Sequence, residues 1–198
     1  VALDDLTRRA RDVVEALRDD AEEWCEGKSP WLRAALAIYL AYAGVRHVAD
    51  PFYRSWFAGI TLVFHEMGHI VFAPLGNTLM LLGGSIMQLL VPAAAALYLL
   101  FRQRDWFGLT VSQSWLAFST WELATYIDDA NKEQLPLVSL GGVPEHDWST
   151  LLTQWHMLNA CETIAMATRG VAFLAWAPAI AFAGWLLYRM ARHGRGLA

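Results

Sequence analysis

From Ile70 to Phe101 the chain carries no Asp, Glu, Lys or Arg, a run of 32 residues without formal charge. A helix crosses a hydrocarbon core with about 20 mostly apolar residues. The run therefore exceeds one crossing and must contain the end of one apolar helix, a turn and a second apolar helix. Gly76-Asn77 and Gly83-Gly84 are the two places where the turn is expected. Pro92 is expected to kink the helix that follows.

Composition points the same way, because 56% of the 198 residues are hydrophobic and only 17% are charged, against roughly 25% charged in a soluble domain. Disorder and nucleic-acid binding are excluded by this greasy, aromatic, non-basic make-up. Residues 1–28 hold nine of the 19 acids and five of the 15 bases, so the net charge of -4 belongs to that segment. Within it, Leu3, Leu6, Ala10, Val13, Val14, Leu17, Ala21 and Trp24 recur at three- and four-residue steps, the pattern of an amphipathic helix. Gly27 and Pro30 are expected to end it. Early acids and a late first apolar run do not read as a signal peptide, so targeting is expected to come from the spans. Two units follow: an acidic amphipathic helix over 1–29, suited to docking a partner subunit, and a transmembrane domain over 30–198.

The expected fold is all-α, a polytopic transmembrane bundle. Five spans are expected: 31–48, 57–75, the stretch closing at Phe101, 106–126 and 170–188. A sixth arises only if 151–168 crosses as well, but Gln154, His156, Asn159 and Glu162 suit that segment better to an interfacial or re-entrant helix, with His156 hydrogen-bonding on its polar face. With five spans, Arg46 and Arg54, Arg102 and Arg104, and Arg189, Arg192 and Arg195 fall on one side, making the C-terminus cytoplasmic. The acidic helix and the 127–150 loop then face outward. Cys25 and Cys161 are too few and too far apart for a disulfide scaffold or a metal motif, leaving room for at most one disulfide.

The second span holds His65-Glu66-Met67-Gly68-His69. On a helix, positions i and i+4 share a face, so two imidazoles can grip one metal ion while the intervening Glu reaches its water. With six His and nine Glu in the chain, random order yields this pattern with a probability of roughly 1%. Three ionisable groups at mid-span are costly and require a metal or a water-filled cavity. A zinc hydrolase needs one more protein ligand. Its best source is the Gly- and Pro-broken segment from Leu135 to Trp148, which is expected to dip inward as irregular backbone lining a cavity. There His146 and Asp147 both qualify, although Asp147 also suits a helix N-cap. Glu122, Asp128, His156 and Glu162 are lesser candidates. Asp129 is a candidate for orienting a ligand imidazole, or a simple loop acid. Gly83-Gly84-Ser85 suits close helix packing, and Gln88 suits either substrate backbone or support near Glu66.

The segment Phe64-His-Glu-Met-Gly-His-Ile-Val within a span, followed by a distant Asp after a Gly/Pro loop, resembles the site-2-protease type of membrane-embedded zinc metalloprotease. The resemblance implies that His65, His69 and Asp147 hold Zn2+, that Glu66 is catalytic, and that the substrate is a membrane-associated protein or peptide. Here the distal Asp lies in Glu145-His146-Asp147-Trp148 instead of the family's Asn-Pro-Asp-Gly or Leu-Asp-Gly. The expected function is intramembrane zinc-dependent peptide hydrolysis in contact with the lipid bilayer. The alternative is a non-catalytic, metal-stabilised membrane subunit of a larger complex.

Overall fold

The computed structural model describes residues 2–138 and 145–194. Residues 139–144 of the segment expected to dip inward, and Arg195, lie outside the described residues. Among the described residues the chain is all-helical: α1 (Ala2–Cys25), α2 (Trp31–Ala49), α3 (Ala58–Phe72), α4 (Asn77–Tyr98), α5 (Trp106–Asp128), α6 (Asp147–Gln154) and α7 (Cys161–His193).

Of the two expected turn sites the chain uses the first. Gly76 adopts φ 99°, a region closed to residues with a Cβ. Gly83 and Gly84 instead continue α4, where they let α3 approach. A Cβ on Gly68 would overlap the backbone of Gly83, so this crossing exists only because neither residue has a side chain. Pro92 is buried inside α4 without ending it.

The helix α5 is the centre of the bundle, packed along α7 and against α4 and α2. Three of its buried hydroxyls are satisfied locally, with Thr110 donating to Phe107 O at 2.7 Å, Ser114 to Thr110 O at 2.7 Å and Thr120 to Leu116 O at 2.7 Å. Phe118, Leu40 and Ala172 close the packing between α5, α2 and α7.

Helices α2, α4, α5 and α7 run from end to end of this bundle, but α3 does not. Pro51 O accepts from Thr125 Oγ1 at 2.8 Å, near the C-terminal end of α5. Five residues later Trp56 stacks on Tyr39 at 3.9 Å and Phe57 stacks on Trp115 at 5.8 Å. Ten residues of helix separate Thr125 from Trp115, so the chain descends about 15 Å between Pro51 and Phe57. From there α3 climbs back alongside α5, with Thr61 3.1 Å from Ser119.

This geometry corrects the expected placement of charges. Arg104 and Trp106 meet Asp20 at the N-terminal end of α5, whereas Arg46 lies near Pro51 at the opposite end. The arginines fall on one side only if α3 makes a full crossing, and it starts halfway. The acidic helix is likewise not opposite the basic end but docked on it. Asp20 pairs with Arg104, and Glu22 pairs with Arg189 at 2.6 Å. Ala21 and Cys25 are buried there, while residues 5–19 are exposed.

The region 151–168 is also not one helix. It breaks at His156, which takes φ 56°. Its N–H donates to Thr153 O at 3.1 Å and Met157 N–H reaches back to Leu152 O at 2.8 Å, the paired bonds of a left-handed helix stop. His156 therefore serves a turn and not a polar helix face. The last helix starts at Cys161, nine residues before the expected span. Cys25 and Cys161 are buried as free thiols with no disulfide.

Three segments are long and apolar enough to cross a membrane: Ala58–Leu75, Asn77–Gln103 and Leu158–His193. Their outer faces are apolar, as Ile60, Val63, Ile70, Val71, Val171 and Leu174 are all exposed. An exposed apolar surface of this extent fits a lipid environment better than water.

Candidate metal centre

Helical spacing puts His65 and His69 on one face of α3, with ring centroids 4.9 Å apart. Each ring is fixed through its Nδ1. Gln88 Nε2 donates to Ser119 O at 3.0 Å, which turns the amide oxygen of Gln88 toward His65, and His65 Nδ1–H donates to it at 2.6 Å. His69 Nδ1–H donates to Met80 O at 2.8 Å. A neutral imidazole has one N–H, so both Nε2 atoms are left with lone pairs.

These two lone pairs converge on a carboxylate 78 residues further along the chain from His69. Asp147 Oδ2 lies 3.1 Å from His65 Nε2 and 3.3 Å from His69 Nε2. With both rings neutral, three acceptors this close repel unless a cation lies among them. Zinc bonds of about 2.05 Å imply ligand-to-ligand edges of about 3.3 Å in a tetrahedron, which the two edges from Asp147 match. The His65, His69 and Asp147 donor set is the group of His, Cys, Asp and Glu among the described residues with metal-binding geometry. On the α4 side the space is kept by Gly84, where a Cβ would lie 2.6 Å from His65 Nε2 and 2.7 Å from His69 Nε2.

Asp147 is free to point inward because its neighbour caps the helix. His146 Nδ1 accepts from Ser149 N–H at 3.2 Å, its ring stacks on Tyr126 at 4.3 Å, and its Nε2 faces Asp129 at 3.4 Å. Burial holds the His146 imidazole below its ordinary pKa despite Asp129, which preserves the Nδ1 lone pair needed for the cap.

Thus His65, His69 and Asp147 are brought together, with Gln88 bonded to His65 instead of supporting Glu66. His146 is turned away from them. Asp129 lies 3.4 Å from His146 Nε2 and accepts from Gln134 N–H and Leu135 N–H, both at 3.0 Å, so it touches no imidazole of the cluster. Asp128 pairs with Arg169 at 3.4 Å and Glu162 with Lys132 at 3.9 Å, both outside the cluster. Sequence reading missed Tyr126, whose hydroxyl accepts from Asp147 N–H at 3.0 Å and donates to Asp147 Oδ2 at 3.3 Å. It also missed the pin that holds the start of α6 on α4, Trp148 Nε1 donating to Ser85 Oγ at 3.0 Å. No spacing rule links either residue to the His-Glu-x-x-His motif.

The cluster opens into a cavity of about 900 Å³, lined also by Glu66, Glu122 and Arg54. Leu135, Pro136, Leu137, Val138 and Glu145, which flank the Gly/Pro segment, line the same cavity as the two histidines. Glu66 is only 8% exposed.

Comparison with protein-family models, curated proteins and solved structures gave no match to this chain.

Proposed function

We propose that this chain is an intramembrane zinc metallopeptidase of site-2-protease-like chemistry, acting on membrane-associated proteins or peptides. The observation that carries the reading is the convergence of two Nε2 lone pairs and the Asp147 carboxylate, 3.1 and 3.3 Å apart, at the wall of a cavity that Glu66 also lines.

His65, His69 and Asp147 would hold the ion. Gln88 and the Met80 carbonyl keep the two rings turned for it, a role that partners of ligand imidazoles commonly fill. Bound zinc supplies a water of pKa near 7 and polarises a carbonyl. The Glu66 carboxylate would accept a proton from the attacking water and return it to the leaving amine. The cavity walls exclude bulk water and hold an extended peptide segment.

In this reading α4 and α7 cross the bilayer with α2 and α5 packed beside them, and residues 50–57 lead into α3 from partway along the bundle. Irregular backbone at that depth is tolerated where it lines a cavity, as Pro51 to Arg54 do. Lys28, Arg33, Arg102, Arg104, Arg189 and Arg192 gather toward the end where α5 begins. The positive-inside rule makes that end cytoplasmic, together with α1 and the C-terminus.

The test is metal analysis of purified protein with hydrolysis of a membrane-anchored fluorogenic peptide. Wild type should hold about one zinc per chain, His65→Ala none, and Glu66→Gln should keep zinc while losing hydrolysis. Wild-type protein without zinc would refute the reading. The second reading, a metal-stabilised non-catalytic subunit, is favoured by one observation: residues 5–19 of α1 are exposed and offer a face for a partner. It requires co-purifying partners and full function in Glu66→Gln.

A further inference from the structure

The bundle holds α1 only by its C-terminal end. Ala21 and Cys25 pack among Trp106, Phe107, Ala183 and Leu186. On the same apolar stripe, Leu6, Val13, Val14 and Leu17 are 64, 57, 63 and 43% exposed. Residues 6–17 cover about 17 Å of helix at 1.5 Å per residue, so a long apolar edge extends beyond the docked end.

Contacts with α7 give this edge a direction. Cys25 Sγ meets Leu186 O at 3.7 Å and Glu22 meets Arg189 at 2.6 Å, while Val14 and Leu17 share a groove with Phe182, Trp185 and Trp106. From Val14 to Cys25, α1 therefore stays beside residues 182–189 of α7 without a steady register, which means that it lies across α7 and not along it. Phe182 and Trp185 sit one to two turns before Arg189 in the apolar segment Leu158–His193, hence deeper in a bilayer that this segment crosses. The apolar residues of α1 gather at that deeper level and Glu22 at the shallower one. Trp106, Trp185 and the exposed Tyr188 mark the same level, as expected of aromatic side chains at a membrane surface.

Charge is divided in the same sense. Residues 1–18 hold four acids and four bases, whereas residues 19–26 hold five acids and no base. The acid surplus lies at the docked end, where Arg104 and Arg189 meet it. The free part carries no net charge for lipid phosphates to repel.

We propose that the free part of α1 lies in the plane of the membrane surface, with Leu6, Val13, Val14 and Leu17 set into the acyl chains and its arginines among the headgroups. Amphipathic helices with a strongly charged face bind membranes in this way. Continuity of the stripe with the outer surface of α7 favours lipid over a second copy of the chain as its cover. The proposal goes beyond the hydrolytic reading and needs from it only that α7 crosses the bilayer.

The experiment uses full-length protein in phosphatidylcholine vesicles, with a nitroxide label at one introduced cysteine. Leu6→Cys, Val13→Cys and Leu17→Cys sample the stripe, Arg8→Cys and Asp12→Cys the opposite face, and Leu174→Cys the exposed side of α7. Collisions with oxygen, which concentrates among acyl chains, are compared with collisions with a water-soluble nickel chelate. The oxygen-to-nickel ratio at the stripe should exceed that at positions 8 and 12 several-fold and approach that at 174. If a labelled variant lacks wild-type helix content, wild type is treated in the same vesicles with an apolar carbene precursor, and adducts should appear within residues 6–17.

A stripe as open to nickel as positions 8 and 12 would overturn the proposal, as would carbene adducts on the bundle with none in α1. Dipolar broadening at the stripe that disappears on dilution with unlabelled protein would overturn it in favour of a second copy. A nickel-accessible label at 174 would overturn it together with its premise. Zinc and hydrolysis do not enter the readout, so the peptidase reading can fail while this one stands.

Discussion

Gln88 sets the ring of His65 across the α3–α4 crossing: its amide oxygen lies 2.6 Å from His65 Nδ1 while its nitrogen is committed to Ser119 O. The second bond gives the first its direction, because an amide held by a carbonyl through its NH2 can present only oxygen to the imidazole. His65 therefore offers a lone pair at Nε2, toward Asp147. Removing the amide in Gln88→Ala should weaken zinc binding about 10- to 100-fold, the usual cost of losing such a partner. Chelator competition measures it, and an unchanged affinity would show that His65 is oriented by something else.

The glycines of the crossing separate metal binding from folding. In Gly84→Ala the new methyl would lie 2.6 and 2.7 Å from the two Nε2 atoms, so zinc content should fall to background while the helices persist. In Gly68→Ala the methyl meets the rigid backbone of Gly83, and the helices must separate. Overpacking of this kind costs about 1–3 kcal/mol, visible as a lowered thermal midpoint in detergent.

Adjacent residues should give opposite results. Asp147→Asn should lose zinc, since its oxygen is the point on which both histidines converge. His146→Ala should keep zinc but lose the cap on Ser149 N–H and the stacking on Tyr126. Loss of a cap costs about 1 kcal/mol. Zinc analysis and thermal unfolding of the two variants together separate ligand from cap.

Acid should release α1 before it unfolds the bundle. Hydrogen bonding to Arg104 is the main cause that holds the Asp20 carboxyl below its ordinary value of 3.8. A carboxylate depressed in the folded state contributes its stability above the unfolded pKa and loses it as pH falls through the folded one. Hydrogen exchange in α1, corrected for intrinsic rates, should therefore be unchanged down to about pH 4 and accelerate below it. In Asp20→Asn it should be fast throughout.

The features legible in the sequence were those written in short range. The i, i+4 spacing places His65 and His69 on one face wherever the helix lies, and the uncharged run after Ile70 demands two apolar helices and a turn. The amphipathic repeat of residues 3–24 and the end of α1 near Gly27 are local for the same reason. Hydropathy also marked 57–75 as apolar, but apolar length says nothing of depth. The descent from Pro51 to Phe57 is fixed by Tyr39, Trp115 and Thr125, residues of other helices, and it inverted the assignment of Arg46 relative to Arg104.

The same division runs through the metal cluster. Sequence determined that two imidazoles and a carboxylate stand in one apolar helix, and it pointed to residues 146 and 147 as the best source of a further ligand. It could not choose between His146 and Asp147, because consecutive residues at a helix start point in different directions. Tertiary structure made the choice: Tyr126 and Asp129 take His146 on one side, Trp148 is pinned to Ser85, and Asp147 is left facing the lone pairs of His65 and His69. A ligand's type is a property of its residue, whereas its direction is set by what packs around it.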